Sequence, residues 1–64
     1  MSDSASDKEM MQKNIEEFTR LQQYMLLAGK DSPAYKTMRI RYVGLKVILN
    51  SSGVNLTELD MMKE

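Results

Sequence analysis

Three helix-start signals punctuate this chain, and they constrain its fold more than any other feature. Ser6 and Glu9 form a capping box, in which the hydroxyl accepts from a free backbone N–H and the carboxylate reaches back to the cap. Asp7 and Glu9 also set negative charge at the positive end of a helix dipole. Ser32-Pro33 puts a capping hydroxyl before a proline at the first helical position, where its missing N–H costs nothing. Asn55 and Glu58 repeat the capping pattern, with Val54 and Leu59 spaced as a hydrophobic staple. The competing reading is a strand over Arg39–Leu49, where Ile40, Val43, Val47 and Ile48 are β-branched. Alternation fails from Lys46 to Leu49, and one strand has nothing to pair with in this chain.

The spacing predicts an all-α fold: an antiparallel helical hairpin, about 7–28 and 33–51, plus a short third helix at about 56–62. Met11, Ile15, Phe18, Leu21, Met25 and Ala28 fall at helical steps on one face of the first helix. Glu9–Lys13 and Glu16–Arg20 support it at i,i+4 with the acid first. Gly29 suits the position just past its end. The short polar link Lys30-Asp31-Ser32 favours an antiparallel return.

The second helix carries two apolar faces. Tyr35, Met38, Tyr42, Leu45 and Leu49 step by three and four in an unbroken seam that fits helix 1. Ile40, Val43 and Val47 lie nearly opposite and need another cover, either helix 3 or a second subunit. Gly44 costs about 1 kcal/mol against Ala inside a helix. Either that cost is tolerated or a neighbouring backbone comes close. Ser51-Ser52-Gly53 ends the helix, and Leu56, Leu59 and Met62 of the third helix are expected to dock over the hairpin's open end. Residues 1–5, rich in Ser and Asp with no strong apolar anchor, are expected to be a disordered tail before a single domain at 6–64.

With 64 residues there is room for one domain with a marginal core. Small scaffolds usually add disulfides, a metal, an oligomer or unusually good helix packing. There is no Cys for a disulfide, and without Cys or His the usual soft metal ligands are missing. Oligomerisation or docking on a larger protein is the expected supplement, with a homodimer preferred. No cofactor and no small-molecule substrate are expected.

The same absences disfavour catalysis, because the usual general base and the strongest nucleophile are both missing. Glu16 and Glu17 are adjacent and diverge on a helix. No phosphate loop, calcium loop or nucleophile elbow occurs. The chain is therefore read as non-enzymatic. A formal net charge of zero exerts no global pull on nucleic acid or anionic membrane. No apolar run is long enough to span a bilayer, and Met1–Asp7 is acidic and polar, the reverse of a signal peptide. The expected location is cytoplasmic.

The leading expectation is a small interaction or regulatory module acting through an apolar helix face, with Tyr24, Leu27, Ile40, Val43 and Val47 as candidate partner contacts. Seven Met suit an adaptable surface. Met11, Met25 and Met38 sit on core stripes, so Met61 and Met62 are the better surface candidates. A second reading, a nucleic-acid-binding regulator, uses a strip of Lys36, Arg39 and Lys46 on helix 2 to contact phosphates. The simpler account has that strip solvated and paired with Glu16, Glu17, Glu58 or Asp60. The outline also resembles the small helical-hairpin co-chaperones of type III secretion, through Gly29, a polar turn, Tyr35 and an apolar stripe through Leu45 and Ile48. That resemblance implies a partner-dependent hairpin and assigns no functional residue. The Ser32-Pro33 start and the third helix depart from it.

Overall fold

The computed structural model describes residues 3–63. Two helices, α1 (Asp3–Ala28) and α2 (Pro33–Ser51), pack against each other. They run antiparallel. Glu17 meets Arg41, and further from the turn Met10 and Met11 share a cleft with Ile48 and Ser52.

The turn forms as its residues dictate. Gly29 takes a positive φ of 87°, which closes α1 at little steric cost. Ser32 is extended at φ −81° and ψ 150°, and its Oγ accepts from the Tyr35 N–H at 3.0 Å. The same hydroxyl donates to the Gly29 carbonyl at 3.0 Å, so one side chain ties the end of α1 to the start of α2. At the far end Ser52 caps α2, and Gly53 turns with φ 85°. Gly53 N–H donates to the Asn50 carbonyl and Val54 N–H to that of Leu49, a complete Schellman motif. Val54 packs against the core that contains Leu49, which supplies the motif's usual apolar contact.

α1 begins about one turn earlier than the capping box predicts. Ser6 therefore lies inside the helix instead of capping it. Nothing in the sequence Ser4-Ala5 breaks a helix. Of the expected tail at 1–5, residues 1 and 2 lie outside the described residues.

The core follows the two seams. Phe18 and Met25 of α1 and Tyr35, Tyr42, Leu45 and Leu49 of α2 are buried, with Ile15, Leu21, Ala28 and Met38 packed against them. Phe18 and Tyr42 stack with ring centroids 5.5 Å apart and planes 6° from parallel.

The expected third helix at 56–62 is not formed. Only one turn appears, closed by Asp60 N–H on the Leu56 carbonyl at 2.8 Å. Asn55 makes a local turn with the Thr57 N–H at 2.9 Å, two residues on. The reason lies on α1. Gln22 is 0% exposed, and its Oε1 accepts from the Met61 and Met62 N–H groups at 2.6 and 3.0 Å. Its Nε2 donates to the Leu59 carbonyl at 2.8 Å and more weakly to that of Phe18 at 3.4 Å. A helix at 56–62 needs the same Met61 and Met62 donors for its own ladder. The buried amide captures them, and so short a helix has little propagation to set against its nucleation cost. Docking survives without the helix, since Val54, Leu56, Leu59 and Met62 all pack on the core.

Candidate interaction face

α2 presents the core seam on one side and Ile40, Val43 and Val47 on the other. Ile40 is 76% exposed, Val47 61% and Val43 39%. Ile48, at the border of this face, is also exposed. The C-terminal segment borders this face at Leu56, which shares a cleft with Val47, and leaves Ile40 and Val47 largely exposed. Gly44 lies among these residues at helical spacing, and nothing comes within 4 Å of where its Cβ would sit. Close approach within this chain is therefore not why a glycine stands there.

Two clefts flank the outer face along the second half of α2. One, of about 290 Å³, is lined by Lys46, Val47, Asn50, Ser51 and Leu56. The other, of about 370 Å³, lies between the helices and is lined by Met10, Met11, Asn14, Ile48 and Ser52. Met10 is well exposed beside it, which extends the apolar surface onto α1.

The five candidate contacts do not converge. Ile40, Val43 and Val47 share one side of α2. Leu27 is 84% exposed but sits opposite the Phe18–Met25 stripe of α1, on the far side of the hairpin. Tyr24 is exposed seven residues after Glu17, so it shares the flank bridged to Arg41. Met61 is exposed at the chain's end, and Met62 is half-buried against the core.

Among the candidate phosphate contacts, Lys36 and Arg39 are exposed. Lys46 instead reaches the Asp60 carboxylate at 3.0 Å and lies 5.1 Å from the centre of the Tyr42 ring. The Asp60 carboxylate also accepts from the Tyr42 hydroxyl and from the Lys63 N–H at 2.8 Å. Burial pushes its carboxyl up, but the donors from Tyr42, Lys46 and Lys63 outweigh burial and hold it below its ordinary value. The Asp60 partnership in turn raises Lys46. On the opposite flank Arg41 grips Glu17 through two hydrogen bonds, of 2.8 and 3.1 Å. That contact lowers the Glu17 carboxyl and raises Arg41. Both groups are exposed, so the bridge contributes little stability.

No protein-family model, curated protein or solved structure matches this chain. Among the described residues no helix is long and apolar enough to cross a membrane, and no group of three His, Cys, Asp or Glu could hold a metal ion.

Gln22 and Asp60 do most to place the C-terminal segment, and only Asp60 figures in the sequence reading, as a neutraliser of the basic strip. Gln22 did carry a signal. It stands four residues after Phe18 and three before Met25, a core position on α1. A polar residue there points to a buried hydrogen-bond anchor.

Proposed function

We propose that this chain is a small, non-enzymatic interaction module that binds a protein partner through the outer face of α2. The observation that carries this reading is the exposure of Ile40 and Val47 on the side of α2 opposite its core seam. Contiguous apolar surface of this kind marks association sites on soluble proteins. A core this small gains from a partner that covers it.

The test is a single charge on that face. Val47 is largely exposed, so Val47→Arg leaves the fold intact while setting an unpaired charge in the interface. The expected result is an unchanged thermal midpoint with loss of association, read by sedimentation equilibrium from micromolar to millimolar concentration. Association that survives Val47→Arg and Ile40→Glu alike overturns the reading.

A further inference from the structure

Ile40 and Ile48 flank Gly44 at equal distances on the open side of α2, and we propose that the occupant of this side is the α2 of a second copy, crossing antiparallel at that glycine. This rests on the reading that the outer face of α2 is a binding face, and adds to it the partner and the geometry. Three observations carry it. First, Ile40 and Ile48 each stand four residues from Gly44, and both are exposed. In an antiparallel pair centred on Gly44, each residue lies level with the one equally far beyond the glycine on the partner helix. Ile40 then meets Ile48 twice, as a two-fold axis requires.

Second, the space above Gly44 is open. With no Cβ at the crossing, the two helix backbones can approach more closely than larger side chains allow. The helical glycine that nothing inside this chain explains thereby acquires a packing partner.

Third, the ends of the two helices complement one another in an antiparallel pair and not in a parallel one. α2 has no acidic residue in its first turn and no basic residue in its last. Its dipole is therefore uncompensated by side chains of its own at both ends. Antiparallel pairing brings the exposed Lys36 of each copy level with Ser52 of the other, beside the carbonyl end that lacks a cation. Parallel pairing instead sets Lys36 against Lys36 and like dipole ends side by side.

The chain has no Cys, so single-cysteine variants give an unambiguous test. Full-length Ile40→Cys and Ile48→Cys are oxidised separately and as a mixture, and covalent dimer is followed over time. In the proposed pair two copies of residue 40 lie roughly 12 Å apart along the axis, from eight residues at a helical rise of about 1.5 Å. That exceeds disulfide reach, whereas positions 40 and 48 lie together. The mixture should cross-link rapidly and each variant alone slowly. Lys36→Glu should weaken dimerisation of the unmodified chain about tenfold, by reversing a charge at both dipole ends. Rapid cross-linking of either variant alone indicates parallel pairing or a different antiparallel crossing point and overturns the geometry, while the binding face stands. A chain that stays monomeric at millimolar concentration overturns the second copy as occupant. If Val47→Arg and Ile40→Glu then also leave binding to every other protein unchanged, the face itself falls.

Discussion

Gln22 shows how one polar side chain can redirect a segment far along the chain. Its amide serves Leu59, Met61 and Met62, and no described buried side-chain polar atom lacks a partner. Gln22→Leu keeps most of the volume but strips three backbone groups of their partner. The expected loss is about 1–3 kcal/mol, bounded because the segment can turn to water for its hydrogen bonds. Urea denaturation measures the loss, and amide exchange at Met61 and Met62 should quicken most. Gly44 offers the opposite case. Gly44→Ala meets open space in the single chain, so it should stabilise the monomer by about 0.5–1 kcal/mol. The same methyl should weaken the proposed dimer. A variant with a higher melting point and unchanged dimerisation argues against the crossing. Asp60 sets a pH response. Its carboxyl is held below its ordinary value of 3.8, so its contribution is complete above that pH and is lost as pH falls through the folded value. Lys46 is raised above 10.5, so its contribution holds below that pH and is lost as pH rises through the folded value. The C-terminal segment should therefore loosen below about pH 4 before the hairpin opens. Asp60→Asn should flatten that response, as followed by the Met62 amide resonance.

At the scale of elements, the parts that local chemistry controls were legible in the sequence. Gly29, Ser32 and Pro33 carry out the roles their types imply, and the end of α2 follows from Ser52-Gly53-Val54. Ser32→Ala removes a cap and a turn bond together, for an expected loss of about 1–2 kcal/mol in thermal or urea denaturation. The start of α1 was less legible, because Ala5 before the capping box is a strong helix former and no Gly or Pro stops the helix there. The third helix was misread for a different reason. Its cap and staple residues are present, but a seven-residue helix is decided by what competes for its backbone, and that competitor is Gln22, about forty residues away in sequence. Removing residues 54–64 should nonetheless lower the thermal midpoint, since Val54, Leu56, Leu59 and Met62 leave the core.

The whole molecule measures 46 × 20 × 15 Å, a two-helix layer braced along one side by its C-terminal segment. Its accessible surface of 4738 Å² exceeds the roughly 4200 Å² usual for a folded chain of this mass by about 500 Å². An elongated two-helix layer covers less of its own surface than a rounder fold of the same mass, which leaves this excess. The sequence by itself determined the helical class, both helices, the turn and the two-faced pattern of α2. All of these rest on contacts within a few residues, or on a periodicity that any helix must express. Only the tertiary structure decided the path of residues 54–63, the removal of Lys46 from the basic strip, and the separation of Leu27 from Ile40 and Val47. These depend on which groups the packed hairpin brings together. Burial makes an unpaired backbone group costly enough that one distant amide outweighs a local cap.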